Sequence, residues 1–257
     1  YQDFLEIIKS PTQKSLVFTP NPEILYRAHF DQEFFKILQT ATFNVPDANG
    51  LYVAEMMQEG KWFFVACLKV FFKKNSVYQK YGELIKGSDL TRDILEWETP
   101  KKILIIDRKN SEPKNDFERK KAEIQKNLGE ILVQKYPNNE FFVLFDGEQN
   151  PEQIAEIIQQ EKIDFVFSCI GMKIQEQRLC EVFEYLPVNF PVVGLGVGAS
   201  IDFLLWLQKR APKFFQNLGL EWLYRLIMQP KIRAKRIKTA LIDFPRLVKQ
   251  EIKNPSK

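Results

Sequence analysis

Six short runs, residues 14–19, 42–45, 102–107, 140–145, 164–170 and 190–195, are apolar along most of their length, the pattern of strands covered on both faces. Between them the apolar residues recur every three or four positions. Ile24, Leu25, Ala28, Phe34, Ile37 and Leu38 mark one helix over 23–39, a charged helix is expected over 116–135, and Pro151 opens another over 151–160. Strands alternating with helices in this way predict an α/β fold, a doubly wound, mostly parallel, Rossmann-like sheet. After Gly198 the strand pattern stops. Residues 200–209, 212–218, 221–228 and 231–249 read as helices, which divides the chain into an α/β catalytic domain at 1–198 and a helical, basic C-terminal appendage at 199–257.

The punctuation of this pattern locates the loops. Pro20 and Pro22 end the first strand, so Thr19 and Asn21 occupy a strand-to-helix turn. Pro46, Asn49 and Gly50 end the second and leave Asp47 on the next loop, followed by a helix from about Leu51. Successive parallel strand ends put Asn21 and Asp47 on one rim of the sheet, where α/β enzymes keep their chemistry. On local grounds alone, Asp47 equally reads as the N-cap of the helix at Leu51, Ser88 or Asp89 as the cap of a helix over 91–97, and Gln175-Glu176 as two surface residues opening a helix. The run Gly194-Leu195-Gly196-Val197-Gly198-Ala199 fits GxGxxA after a strand. No βαβ unit follows it, so a backbone cradle for a diphosphate or close helix packing competes with a dinucleotide site.

Composition narrows the function classes. With 37 Lys and Arg against 33 Asp and Glu, the net charge of +4 does not call for nucleic acid. The cations are concentrated: nine against two acids from Lys231 onward. Phe214, Phe215, Trp222 and Tyr224 precede and join them, a mixture suited to an anionic membrane surface or to a clamp on phosphates. The apolar, basic stretch 61–74 is too short to cross a bilayer, which needs about 20 apolar residues. It reads as a buried helix, a subunit contact or a surface pressed into lipid headgroups. Cys67, Cys169 and Cys180 lack CxxC spacing, the single His29 supports no histidine-based catalysis, and no secretory leader stands out. No acidic pair of DxD type stands at a strand end, so neither a metal nor another cofactor is expected.

Thr19-Pro20-Asn21-Pro22-Glu23, the loop around Asp47, Gly87-Ser88-Asp89-Leu90, Gln175-Glu176, Gly198-Ala199-Ser200-Ile201-Asp202-Phe203 and the run 219–226 occur in the order that marks the WecG/TagA/CpsF family of bacterial glycosyltransferases, which the chain resembles from about 16 to 236. The resemblance implies an inverting, metal-independent transfer of an N-acetylmannosamine-type or related sugar from UDP to N-acetylglucosamine on undecaprenyl diphosphate, for wall or surface polysaccharide, at the cytoplasmic face of the membrane. It implies Asp47 as general base, with Thr19, Asn21 and Gln175 in the same catalytic pocket. Asn49, Gly87, Ser88, Asp89, Glu176, Gly194, Gly196, Gly198, Asp202, Arg210, Arg225, Arg233 and Arg236 match its substrate- and nucleotide-binding positions, with the tail folding over the site.

The partners so implied are a UDP-sugar, a lipid-linked acceptor and an anionic membrane surface, without nucleic acid; a homo-oligomer is left open. Three departures from the family pattern stand out: Leu84 where a basic residue is usual, Asp107-Arg108-Lys109-Asn110-Ser111 in place of a glycine turn, and the spread Asp47-Ala48-Asn49-Gly50. An NAD-dependent oxidoreductase using the glycine run, or a scaffold of this fold without turnover, are the alternatives.

Overall fold

The computed structural model describes the chain except for residues 110–112, 114–115, 206–210, 213, 216–220, 229 and 255–257, and except for the side chains of 117, 221, 222, 225, 231 and 232. Six parallel strands form one sheet: β1 (Ser15–Phe18), β2 (Phe43–Asn44), β3 (Lys102–Asp107), β4 (Glu140–Phe145), β5 (Phe165–Ser168) and β6 (Val193–Gly196), in the spatial order β2-β1-β6-β5-β3-β4. The register is regular, with Ile103 opposite Phe165 and Phe165 opposite Val193. This is the doubly wound architecture expected from the alternation of strands and helices.

Both faces are covered, which explains the nearly unbroken apolar strands. Ile103, Ile105, Phe165, Phe167, Val193 and Leu195 point to one face, onto α1 (Gln2–Lys9), α7 (Gly87–Leu95), α9 (Leu128–Lys135) and α12 (Ser200–Leu204). Leu104, Ile106 and Val166 point to the other, onto α2 (Pro22–Phe30), α3 (Gln32–Gln39), α10 (Pro151–Glu161) and α11 (Ile174–Glu184). The period of two along each strand sorts the residues between the layers.

Several boundaries differ from the expectation. The helix expected over 23–39 is two, because Asp31 leaves the helical region and accepts a bond on Oδ1 from the Phe34 amide (3.0 Å), capping α3. The helix over 116–135 likewise divides into α8 (Asp116–Gln125) and α9, and the last strand runs to Gly196 instead of Leu195. α1 was not anticipated.

A third cluster lies beside the sheet. α4 (Asn49–Gln58), α5 (Phe63–Phe72), α6 (Lys74–Tyr81) and α15 (Phe244–Lys253) bury Tyr52, Met56, Ala66, Val70, Val77, Phe244 and Val248 together. The far end of the expected appendage is therefore packed against the body. α13 (Glu221–Met228) and α14 (Pro230–Lys238) precede it, and one π-helical turn, Thr239–Asp243, joins α14 to α15. A fully buried α5 was one reading of the 61–74 stretch, and the structure corrects it: only Ala66 and Val70 of this helix are buried. The four residues between α4 and α5 make a hairpin whose inner side alone is needed to close the cluster.

Two measurements check this packing. A Cβ on Gly194 would lie 2.6 Å from Phe183 Cζ and 3.0 Å from Leu16 Cδ2, so Gly194→Ala is expected to cost about 2 kcal/mol in urea unfolding, with Phe183→Leu restoring much of it. Removing residues 244–257 uncovers Tyr52 and Met56 and is expected to lower Tm by on the order of 10 °C in a calorimetric scan.

Candidate active site

β1 feeds α2 on one face of the sheet and β6 feeds α12 on the other, so a crevice opens between their C-terminal ends. Thr19 stands there, its hydroxyl donating to the Gly196 carbonyl at 3.4 Å. Asn21 caps α2: its Oδ1 accepts from the amides of Glu23 (3.0 Å) and Ile24 (3.1 Å), which commits the oxygen and leaves the amide nitrogen as the group it can offer a ligand.

Asp47 does not cap its own helix. Ala48 holds the N-cap position of α4 without a side-chain bond, and Asp47 Oδ1 instead accepts from the amide of Gly87, 40 residues on, at 3.0 Å. The Asp47 amide donates to Pro20 O (3.1 Å) and the Ile85 amide to Pro46 O (3.0 Å), so strand ends and the start of α7 are laced together around this half-buried carboxylate. Gly87 is buried against Thr19, whose Oγ1 would lie 3.3 Å from any Cβ placed there. α7 begins at Gly87, four residues before the expected start, and Ser88 and Asp89 are in its first turn, not at its cap; Asp89 pairs with Arg92 at 3.2 Å. Asn49, in the first turn of α4, has an Oδ1 that is buried and has no hydrogen-bond partner among the described residues.

The Gln175-Glu176 pair is buried, against the surface reading. Gln175 Nε2 donates to Glu176 Oε1 (2.7 Å), its Oε1 accepts from the Gly198 amide (3.1 Å), and Glu176 Oε2 accepts from the Lys173 amide (2.7 Å). Burial raises the pKa of Glu176 above the ordinary glutamate value, with the Gln175 bond and the backbone amides opposing it. A Cβ on Gly196 would meet Gln175 Nε2 at 3.0 Å, and Gly198 turns with φ of 53°. In the glycine run, Gly194 and Gly196 thus make room for Phe183 and Gln175, and the helix that follows, α12, is five residues long.

Asp202 lies apart from Asp47, in a buried ionic cluster. Lys121 reaches Asp202 Oδ1 at 3.0 Å and Asp107 Oδ1 at 3.2 Å, while Gln125 Nε2 donates to Asp107 Oδ2 at 2.7 Å. Burial works against the Lys121 charge, but the two carboxylates outweigh it and hold its pKa above the ordinary lysine value. Burial also raises the pKa of Asp202, with Lys121 opposing. Neither Lys121 nor Gln125 was singled out from the sequence, since both sit in a helix that reads as uniformly charged.

Of the tail cations, Arg236 pairs with Glu23, a buried residue in the first turn of α2 beside Asn21 that also holds Arg27 at 3.0 Å. Arg233 is in α14, half-buried. Arg210 and the side chain of Arg225 lie outside the described residues. Among the described residues, no three His, Cys, Asp or Glu side chains converge as metal ligands and no helix is long and apolar enough to cross a membrane. The three cysteines are unpaired.

A carboxylate and several glycine-spaced backbone turns thus stand around the crevice at the C-terminal edge of a doubly wound sheet, the strand switch point at which α/β proteins of this class bind their ligands. The chain matches the Glycosyl transferase WecG/TagA/CpsF family over residues 77–257 and belongs to that family, so it is a glycosyltransferase. Similar proteins include the N-acetylglucosaminyldiphosphoundecaprenol N-acetyl-beta-D-mannosaminyltransferase of Bacillus subtilis (strain 168), 25% identical over 217 residues, which are 84% of this chain and 72% of that one. The protein of the same name from Staphylococcus aureus (strain MW2) is 25% identical over 250 residues, 94% of this chain and 83% of its own. That of Bacillus spizizenii is 24% identical over 241 residues, 93% and 79%. Family membership sets aside the oxidoreductase alternative.

Replacing Lys121 by Met tests the ionic cluster. Two buried carboxylates would then lack their cation, at a cost of about 3 kcal/mol at neutral pH. Asp202, whose carboxyl burial already pushes up, would lose the lysine that opposes that shift; its folded pKa would stand further above the unfolded value of about 4, so the stability it allows is present below that pH and is lost as pH rises through the raised value. Denaturant midpoints of variant and parent are expected to converge on acidification.

Proposed function

We propose that this protein transfers an N-acetylmannosamine-type sugar from UDP to N-acetylglucosamine linked through diphosphate to undecaprenol, with inversion and without a metal, working at the inner face of the membrane in wall or surface polysaccharide synthesis. The observation that carries the reading is the Asp47 carboxylate, held at the crevice by the Gly87 amide among residues matching the family's motifs. The names of the relatives supply the sugar and acceptor classes.

The chemistry asks for three things. A base must take the proton of the acceptor hydroxyl, O4 of the N-acetylglucosamine, as that oxygen bonds the anomeric carbon. Asp47 is that base. Donors must take up the charge of the diphosphate as the anomeric C–O bond breaks and UDP leaves on the opposite side of the sugar. The Gly87 and Gly198 amides are already taken by Asp47 and Gln175, so the tail arginines Arg210, Arg225, Arg233 and Arg236 are the groups for that task. Something must orient the sugars: the Asn21 amide nitrogen and the unpaired Asn49 Oδ1 have the hydrogen-bonding chemistry for sugar hydroxyls, and the Gln175-Glu176 pair holds the Gly198 turn in shape.

Arg236 is presently paired with Glu23, so a clamp made with Arg236 requires that pair to part or to share its charge with the ligand. The third tail role, a membrane-docking lid over the crevice, remains part of the proposal for residues 199–238, whereas α15 is packed on α4.

Asp47→Asn keeps an oxygen to accept from the Gly87 amide while removing the base. Its circular dichroism and melting are expected to match the parent, with turnover of a UDP-sugar and a short-chain lipid-diphosphate acceptor down by about 10² to 10⁴. Unchanged turnover would exclude Asp47 as the base. Calorimetry in EDTA is expected to show UDP binding; binding that needs Mg²⁺ or Mn²⁺ would overturn the metal-free mechanism.

A further inference from the structure

The largest run of exposed apolar side chains among the described residues is on the hairpin that leaves and rejoins the Asp47 loop. Trp62, Phe64 and Phe72 are 82%, 71% and 73% exposed, and Val65, Leu68 and Phe71 are exposed beside them. The helical repeat accounts for this division: Ala66 and Val70 turn in toward Tyr52 and Met56, and positions 64, 68, 71 and 72 turn out together. A contiguous apolar patch of this kind marks a contact with something else.

Charge decides what that something is. From Gly60 to Gly82 there are five lysines and no Asp or Glu. Lys61 and Lys80 are taken up by Glu59 at the base of the hairpin, and Lys69 and Lys73 stand exposed among the aromatic rings. A second copy meeting this face about a two-fold axis would set these lysines against their own equivalents. An anionic lipid surface offers the opposite charge, and its headgroup boundary suits Trp and Phe with lysine heads reaching outward.

Connectivity ties this face to the crevice. α4 starts two residues after Asp47, α5 folds back along it, and after α6 the chain returns with the Ile85 amide on Pro46 O and the Gly87 amide on Asp47 Oδ1. Two packed helices of about ten residues keep the outer face of α5 within roughly 20 Å of Asp47.

We propose that the outer face of α5, with Trp62, Phe64 and Phe72 inserted and Lys69 and Lys73 on headgroup phosphates, is the surface on which the protein rests on an anionic phospholipid membrane. Given the lipid-linked acceptor proposed above, this contact holds the Asp47 crevice near the height at which a membrane-anchored diphosphate stands. The acceptor then diffuses in two dimensions to a site already oriented toward it.

The test uses the full chain and vesicles of phosphatidylcholine with or without 30% phosphatidylglycerol, a composition on the order of natural anionic surfaces. The parent is expected to sediment with the anionic vesicles and to be released by salt. Trp62→Ser/Phe64→Ser/Phe72→Ser and Lys69→Glu/Lys73→Glu are each expected to weaken partitioning by about tenfold or more, with melting and turnover of a water-soluble short-chain acceptor as in the parent.

The charge variant changes only exposed positions, so it decides the matter should the aromatic variant misfold. Vesicle binding equal to the parent's in the charge variant, or a parent dimer that the aromatic variant dissolves while vesicle binding persists, would overturn the proposal. A parent that binds vesicles through α5 but transfers no sugar to the lipid-linked acceptor would instead end the functional reading and leave the surface standing.

Discussion

The bond from the Gly87 amide to the Asp47 carboxylate joins two points 40 residues apart, and much of the crevice depends on it. Everything between them, the α4-α5-α6 excursion, is a closed loop whose two ends meet at one carboxylate oxygen. A helix N-terminus offers unpaired amides and partial positive charge, so the carboxylate is both satisfied and oriented by α7. Gly87 is the residue that permits this, because Thr19 occupies the space where a side chain would go. Strand end, helix start and a neighbouring strand's hydroxyl are thereby held in one arrangement by a few short contacts.

The other side of the crevice is built on the opposite principle, with side chains supporting backbone. Gln175 and Glu176 are buried, and their polar atoms are spent on each other and on the amides of Gly198 and Lys173. A buried polar pair of this sort is costly unless its partners are in place, so the geometry of the Gly198 turn is specified by it. In the Asp107–Lys121–Asp202 cluster one buried lysine is shared between two carboxylates, whereas Asn49 retains an unused acceptor next to the Asp47 loop.

The sheet was legible because strands buried on both faces leave continuous apolar runs; 102–107 and 140–145 coincide with β3 and β4. Asp47 and Asn21 were traceable to one rim from strand order alone. Less could be read where a contact joins distant positions. Local sequence offered Asp47 its own helix to cap, and the competing amide at Gly87 becomes visible only when the chain has returned. Gln175-Glu176 at a helix start looked like a surface pair because burial there comes from the Gly196–Gly198 backbone crossing above it. The break at Asp31 was hidden by apolar spacing that continues through it, and the inward and outward sides of 61–74 could not be told apart because both are apolar. Basic composition suggested a separable tail, while Phe244 and Val248, eight and twelve residues after Arg236, pack against α4.

The π-helical turn at Thr239–Asp243 governs how those two parts of the tail relate. In an uninterrupted α-helix, residues eight apart, such as Arg236 and Phe244, are about 80° out of phase. A π turn absorbs about one additional residue, which takes back most of one step of roughly 100° and returns the two side chains to nearly one side of the axis. Arg236 can therefore meet Glu23 of α2 while Phe244 enters the cluster that α2 and α4 border. The tail behaves as a keyed shaft: its basic side cannot rotate about the helix axis without withdrawing the buried side, so the angular setting of the arginines is inherited from the hydrophobic packing eight residues away.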